Sequence, residues 1–104
     1  MAQFDVHRNS GKHRDTIPYV VVVQSALLDD YKRRVVVPLV KASAVGPISN
    51  PRFNPSFKIA NTQVVLHPLE MVSVALDDLG KPITSLAKEA DRIIGALDDL
   101  LMRA

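Results

Sequence analysis

The sequence predicts a small, mainly β domain whose sheet is closed by one C-terminal α-helix. The last quarter of the chain, from Thr84 to Ala104, places apolar residues at the spacing of one helix face: Leu86, Ala90, Ile93, Leu97, Leu100 and Leu101. Upstream, short valine-rich runs alternate with turn signals, which is typical of antiparallel strands. A single amphipathic helix needs a sheet face to cover its stripe, so we expect a small antiparallel barrel or a strongly bent sheet.

Six strands are expected before the helix, at residues 3–7, 19–25, 33–39, 57–59, 63–67 and 71–76. The valines from Val20 to Val23 lack the alternation of a half-exposed strand, so the helix should cover one face and the rest of the barrel or a partner subunit the other. Pro38 should end the third strand because it has no N–H to donate. The Gly-Pro and Asn-Pro pairs between residues 46 and 55 predict a long loop, and Thr84 or Ser85 should cap the helix.

Length and composition indicate one domain, residues 1–104. The chain has no cysteine, which removes disulfides and thiolate metal sites and is compatible with the cytoplasm. Neither a signal peptide nor a membrane span is expected, because no apolar run is long enough. The 13 Lys and Arg residues nearly balance the 11 Asp and Glu residues, so charge alone does not suggest nucleic-acid binding.

Catalytic and cofactor motifs are absent from the sequence. It contains no nucleophile elbow, no phosphate-binding loop and no dinucleotide-binding glycine pattern, and its three histidines are far apart. We therefore expect no catalytic residue, metal or cofactor. The pair Asp77-Asp78 is interpreted as a turn, the pair Asp98-Asp99 as the solvated face of the helix, and His67 as a surface or strand-end residue.

A basic cluster surrounds the predicted turn at residues 9–11: His7, Arg8, Lys12, His13 and Arg14. One interpretation is a site for phosphate or for an acidic protein segment, and the other is a solvated hairpin tip. A ribonuclease would need a general base, a general acid and an arginine at one phosphate. The required residue types occur at His7, His67, Arg33 and Arg34, but the sequence does not show that they converge.

Several segments, taken in order, resemble the CcdB family of toxins from type II toxin–antitoxin modules. These segments are Gln3–Val6, Val22–Ser25 with Leu27–Asp29, Arg33–Leu39, Met71–Val74 with Gly80, and Ile93, Ala96 and Leu97 in the helix. The resemblance extends over nearly the whole chain apart from its proline-rich middle. It implies an SH3-like fold, shared with the MazF and Kid ribonuclease toxins, and a homodimer.

The resemblance also implies partners. The expected partner is a CcdA-like antitoxin with a disordered acidic tail, and operator DNA would be bound only through that antitoxin. The best-known members of the family are not enzymes but trap DNA gyrase on cleaved DNA, by inserting the paired ends of their C-terminal helices into the A subunits. No membrane association is implied.

The family carries its gyrase activity on a C-terminal Trp-Gly-Ile. Aligning the helices on Ala96 and Leu97 places Met102, Arg103 and Ala104 at those three positions, and none of them matches. Loss of a buried aromatic anchor costs about 2–4 kcal/mol, or about thirtyfold or more in affinity. The residues expected at a gyrase contact by resemblance are Leu27, Leu28, Asp98, Met102, Arg103 and Ala104. The basic cluster named above is the expected contact of the antitoxin.

Three hypotheses follow from the sequence. The first is a CcdB-like toxin that dimerises, is neutralised by an antitoxin and acts on gyrase. The second is a protein of the same fold that is inactive on gyrase but retains antitoxin binding and regulation of its own operon. The third is an mRNA-cleaving ribonuclease like the MazF and Kid branch.

Overall fold

The computed structural model describes residues 2–102 and confirms a mainly β fold with one long C-terminal helix. The strands are β1 (Asp5–Arg8), β2 (Tyr19–Val22), β3 (Arg33–Lys41), β4 (Ser56–Ile59), β5 (Thr62–Leu66), β6 (Val72–Ala75) and β7 (Thr84–Ser85). The helices are α1 (Ala42–Val45) and α2 (Ala90–Leu101). The helix predicted for residues 84–104 therefore begins later in the structure, and residues 103 and 104 lie outside the described part.

The strands form one antiparallel, nearly closed sheet in the order β4-β5-β3-β2-β1-β7. The long strand β3 is its centre. It pairs with β2 along one edge, and along the other with β6 at residues 33–36 and with β5 at residues 39–41. The outermost strands are β4 and β7, and the bent sheet predicted from the sequence is confirmed.

Pro38 does not end the third strand, so that prediction is wrong. Strand β3 continues to Lys41 because Pro38 lies between the segment that pairs with β6 and the segment that pairs with β5. Pro38 has no N–H, and at this position neither β6 nor β5 requires a hydrogen bond from it. The Pro38 carbonyl still accepts a hydrogen bond from the N–H of His67, at 3.1 Å.

The valine run is covered within a single chain at Val21, Val22 and Val23, as predicted, whereas Val20 is only half-buried. Val21 belongs to the main core, which α2 covers with Ile93 and Ala96. Val22 faces the other way and packs in a second cluster with Val36 and Leu79. The turn that carries Leu79 covers Val22. Of the two alternatives considered from the sequence, the rest of the barrel or a partner subunit, it is therefore the rest of the barrel that covers Val22.

The helix begins later than predicted. Thr84 and Ser85 pair with β1 as strand β7, and the Ser85 hydroxyl accepts a hydrogen bond from the N–H of Ala87, at 3.1 Å. This is a local bond between residues 85 and 87, ahead of the 3-10 turn Ala87–Glu89, so neither Thr84 nor Ser85 caps α2 and that prediction is wrong. Leu101, predicted on the buried stripe, is 60% exposed because it follows the last turn that packs on the sheet.

The strands predicted at residues 57–59 and 63–67 are confirmed as β4 and β5, which form a hairpin. Its two turn residues, Ala60 and Asn61, have φ angles of 49° and 66°. Both central residues of a type I′ turn adopt this left-handed conformation, whose twist matches that of the flanking strands. No helix within residues 2–102 has the length and the apolar character needed to cross a membrane.

Candidate functional site

The loop between β2 and β3, residues 25–32, displays apolar side chains to solvent. Leu27 is 92% exposed, and Leu28 and Tyr31 are also exposed. The first residues of the loop form a 3-10 turn, Ala26–Leu28, and the Ser25 hydroxyl caps it by accepting a hydrogen bond from the N–H of Leu27, at 3.2 Å. We call residues 25–32 the display loop.

Gln24 ties the display loop to the sheet with both ends of its amide. Its Nε2 donates to the carbonyls of Leu28 and Arg33, at 3.3 and 3.0 Å, and its Oε1 accepts from the N–H of Val35, at 3.0 Å. One side chain therefore joins the turn at the start of the loop to the first residues of β3. The Gln-Ser pair that contributed to the family resemblance is the pair that builds this loop.

Arg34 fixes the second half of the display loop from inside the protein. Its side chain is buried, and Nη1 donates to the carbonyls of Tyr31 and Arg33, at 2.6 and 2.9 Å. Its Nη2 donates to the Asp29 carbonyl at 3.1 Å and lies 3.8 Å from the Asp29 carboxylate. Burial of a guanidinium is costly unless its donors find acceptors, and here loop carbonyls and that carboxylate satisfy the two terminal nitrogens, whereas the buried Nε has no hydrogen-bond partner among residues 2–102.

The C-terminal end of α2 is a second exposed apolar feature. Leu101 is 60% exposed and Met102 is 79% exposed, and the Met102 N–H still donates to the Asp98 carbonyl at 2.9 Å. Arg103 and Ala104, which the resemblance implicates in gyrase binding, lie outside the described residues. The position expected to carry an aromatic anchor thus carries a flexible thioether in contact with solvent.

The two acidic residues near this end of α2, Asp98 and Asp99, have different surroundings. Asp98 is exposed, as predicted. Asp99 is not simply solvated, because its carboxylate accepts a hydrogen bond from Nε of Arg52, at 2.8 Å. The same hydrogen bond raises the pKa of the Arg52 guanidinium. Arg52 lies within the proline-rich loop, so this contact attaches that loop to α2.

The display loop and the end of α2 have separate supports. The display loop is held by the side chains of Gln24, which follows β2, and of Arg34 in β3. Helix α2 packs on the main core through Ile93 and Ala96. Within residues 2–102, no hydrogen bond or ion pair with a side-chain partner joins the two. They are two apolar features on one scaffold.

The basic cluster is divided by the structure. His7 is fully buried in β1, so it is not part of an exposed basic surface, contrary to the sequence interpretation. Its Nδ1–H donates to the Gly80 carbonyl at 2.8 Å, because a carbonyl only accepts. The other four residues of the cluster are exposed: Arg8, Lys12, His13 and Arg14. We call the loop that carries these four cations, residues 8–17, the basic hairpin.

The basic hairpin is shaped by its own residues. The amide of Asn9 donates to the carbonyls of Lys12 and Ile17, at 3.1 and 2.8 Å, and accepts from the N–H of Gly11, at 3.0 Å. The Ser10 hydroxyl donates to the Asp78 carbonyl at 3.0 Å. Within the described part of the chain the four cations form no ion pair with an acidic side chain.

The residue types considered for a ribonuclease do not meet at a surface. His7 and Arg34 are buried and donate to backbone carbonyls, and Arg33 donates to the hydroxyl and the carbonyl of Ser73 through its Nε and its Nη2, each at 2.8 Å. The Nε2 atom of His67 is itself buried. Residues 2–102 also contain no group of three metal-ligating side chains that could hold an ion.

The fold and these surfaces define a class: a small bent-sheet protein with one C-terminal helix that presents an apolar loop and a basic hairpin to solvent. The family model described as "CcdB protein" matches residues 3–102, and the chain therefore belongs to the CcdB family. Membership makes it a toxin of CcdB type, from a family of toxin–antitoxin modules whose toxins bind proteins. A search of curated proteins finds no match.

Two functional roles were missed from the sequence. In the sequence, Gln24 stands out only through the family resemblance, and Arg34 only as a charge or a candidate phosphate ligand. The alternation of β3 carries a usable signal, because Arg34 occupies the same face as the buried Val36 and so points inward. An arginine at an inward position predicts a set of carbonyl acceptors nearby.

Proposed function

We propose that this protein is a CcdB-type toxin that acts by binding the A subunit of DNA gyrase through the display loop and the end of α2. The observation that carries the proposal is Leu27, a leucine 92% exposed on a loop fixed by Gln24 and the buried Arg34. A rigid loop that presents a leucine loses little conformational freedom on binding. Burial of that side chain by a partner contributes about 1.5–3 kcal/mol.

The tail sets the expected strength of gyrase binding. The family's aromatic anchor is replaced by Met102, and methionine gains less from a rigid pocket because it loses more rotamer freedom. We therefore expect Leu27 and Leu28 to contribute a larger share of the binding than in a relative with the aromatic tail. Restoring Trp-Gly-Ile at residues 102–104 is expected to raise gyrase affinity by about thirtyfold.

The first experiment expresses the chain alone in bacteria and measures growth, gyrase-linked DNA breaks and mRNA integrity. Growth arrest with DNA breaks supports the proposal. Arrest with cleaved mRNA would support the ribonuclease hypothesis, and normal growth with antitoxin binding retained would support the gyrase-inactive hypothesis. Each result therefore selects one of the three hypotheses.

The second experiment measures binding of purified protein to gyrase A subunit by surface plasmon resonance. Leu27→Asp is expected to reduce affinity at least tenfold, because it places a charge in an apolar contact. The matched control is Ile94→Asp, since Ile94 is also an exposed aliphatic residue but lies about two helical turns before Met102 and the end of α2. Equal affinities for the two variants would contradict a contact through the display loop.

We further propose that the basic hairpin binds the acidic segment of a CcdA-like antitoxin, and that the protein is a homodimer. Four exposed cations without acidic partners in residues 2–102 are complementary to such a segment. Charge reversal at Lys12 and Arg14 together is expected to weaken antitoxin binding, measured by calorimetry. Sedimentation equilibrium tests the dimer, and a concentration-independent monomer mass would contradict it.

A further inference from the structure

The sheet has an open seam between its two outermost strands, β4 and β7. Each of these strands pairs along one edge only, with β5 and β1 respectively. A cavity of about 540 Å³ lies between them, lined from one side by Lys58 and Ile59 and from the other by Ile83, Thr84 and Ser85. We call this cavity, with its lining residues, the seam.

The β4 side of the seam offers backbone groups that are not paired with another strand. Residues that flank a two-residue hairpin turn exchange both of their ladder hydrogen bonds, and here these are Ile59 and Thr62. By alternation, Ser56 and Lys58 direct their N–H and C=O groups away from β5 and toward the seam. The Ser56 carbonyl agrees with this orientation, because it accepts a hydrogen bond from Arg92 at 2.6 Å. The groups open to an added strand are therefore chiefly the N–H and C=O of Lys58.

The floor of the seam is apolar. Ile59 and Leu86, which line it, are buried members of the main core, and Ile83 is partly exposed at its side. A strand laid against β4 alternates its side chains between two faces, so every second residue would point toward this floor. Apolar residues fit those positions.

The rim of the seam carries positive charge. Arg8 and Lys58 are exposed and have no acidic partner among residues 2–102. The one carboxylate in the lining, Glu89, is already paired with Arg92 at 2.6 Å. The residues of an added strand that point away from the floor would therefore meet two unpaired cations, which favours acidic side chains.

We propose that the seam binds an extended segment of a partner protein, in which apolar residues alternate with acidic ones, as an added strand on β4. This mode of recognition draws affinity from main-chain hydrogen bonds and specificity from alternate side chains. The inference deepens the antitoxin binding proposed above and rests on it for the natural source of the segment. It differs in location, because the seam shares only Arg8 with the basic hairpin.

A second copy of this chain is a poorer occupant of the seam. Edge-to-edge pairing of two β4 strands would bring two Lys58 side chains together, and like charges on neighbouring strands destabilise the pair. A lysine on an exposed edge is a recognised obstacle to self-pairing of sheets. The charge pattern that disfavours a second copy favours an acidic strand.

The test uses a synthetic probe with the proposed chemistry. The probe is a fluorescent, end-blocked peptide of about ten residues that alternates valine and glutamate, and its control alternates valine and lysine. Binding to the wild-type protein is measured by fluorescence anisotropy. We expect the acidic peptide to bind and the basic peptide to bind at least about tenfold more weakly.

Protein variants locate the binding. Lys58→Glu is expected to weaken binding of the acidic peptide about tenfold, because an attractive pair becomes a repulsive one. Lys32→Glu makes the same charge change at an exposed lysine that does not line the seam, and should change affinity less than about twofold. Circular dichroism checks that both variants fold.

A backbone-modified peptide tests strand addition without changing the protein. Methylation of alternate peptide nitrogens removes the donors on one edge of the probe but keeps its side chains and charge. Methylation on the edge that faces β4 is expected to abolish binding, and in the unmodified complex the Lys58 amide should gain protection from hydrogen exchange. Equal binding of methylated and unmodified peptides would overturn the inference.

Other results also decide the matter. The inference is wrong if the acidic peptide does not bind, or if Lys32→Glu weakens peptide binding as much as Lys58→Glu does. It is also wrong if the protein is a dimer whose interface occupies the seam and the peptide separates the two copies. These outcomes are independent of toxicity. Growth arrest without peptide binding would contradict only the seam, whereas peptide binding without toxicity or antitoxin binding would contradict only the proposed function.

Discussion

The display loop and the basic hairpin connect neighbouring antiparallel strands of the same sheet, yet they are held in different ways. The display loop is fixed from the sheet by Gln24 and the buried Arg34, whereas the basic hairpin is held mainly by Asn9, one of its own residues. An apolar contact requires close fit and therefore a fixed loop. Charge attraction acts over several ångströms and tolerates a looser one.

The largest expected effect comes from removing the buried support of the display loop. Arg34→Met fills similar volume but leaves the carbonyls of Asp29, Tyr31 and Arg33 without their donors. We expect a loss of about 2–4 kcal/mol in the free energy of unfolding. Urea denaturation measures it. Faster amide exchange confined to residues 25–32 would show that the loop loosens before the sheet does.

Arg33→Met is the matched control for this variant. Arg33 is exposed and bonds Ser73 on β6, so its loss should cost less than about 1 kcal/mol. If the two variants are equally stable, Arg34 is not the support that the geometry indicates. The comparison of display loop and basic hairpin would then lose its basis.

A smaller effect is expected at the other support of the display loop. Gln24→Glu keeps the acceptor for the Val35 N–H but removes both donors, to the Leu28 and Arg33 carbonyls. The expected loss is about 1–2 kcal/mol in the free energy of unfolding. Gln63→Glu, on an exposed position of β5, is the control and should be near neutral. Equal effects would argue against a role for the Gln24 amide.

Much of the fold was predictable because its signals are local. The helical spacing of Ile93 and Leu97, the turn signal at Asn61 and the valine run each specify an element from a few neighbouring residues. The errors come from distant contacts. Ser85 belongs to a strand because it pairs with β1. Pro38 lies between the parts of β3 that pair with β6 and with β5, and both of these strands come later in the sequence.

The candidate site was less predictable for the same reason. Leu27, Leu28 and Met102 were identified through the family resemblance, and all three are exposed. The sequence places His7 on the basic surface because its neighbours are cations. In the structure the carbonyl that accepts its hydrogen bond belongs to Gly80, 73 residues away. Sequence spacing does not reveal that the turn before β7 covers β1.

The basic hairpin should respond differently to loss of its support. Asn9→Ala removes the bonds to the Lys12 and Ile17 carbonyls, at an expected cost of about 1 kcal/mol in the free energy of unfolding. Amide exchange should rise in residues 10–17 and stay unchanged in residues 25–32. Binding of an acidic partner should fall only a few fold, because the cations remain. A loss as large as that from charge reversal would mean that the hairpin also needs a fixed shape.

The smallest effect on stability, and the sharpest distinction, is expected from the combined variant Lys12→Glu and Arg14→Glu. Both residues are exposed and unpaired in the described chain, so the free energy of unfolding should change by less than about 0.5 kcal/mol. Antitoxin binding should weaken, and the wild-type affinity should fall as salt rises from about 0.05 to about 0.5 M, where the Debye length shortens severalfold. Gyrase binding through Leu27 should depend little on salt, because burial of apolar surface is not screened. Calorimetry of both partners over the same salt range makes the comparison, and parallel salt dependence would contradict a division of labour between an apolar loop and a charged hairpin.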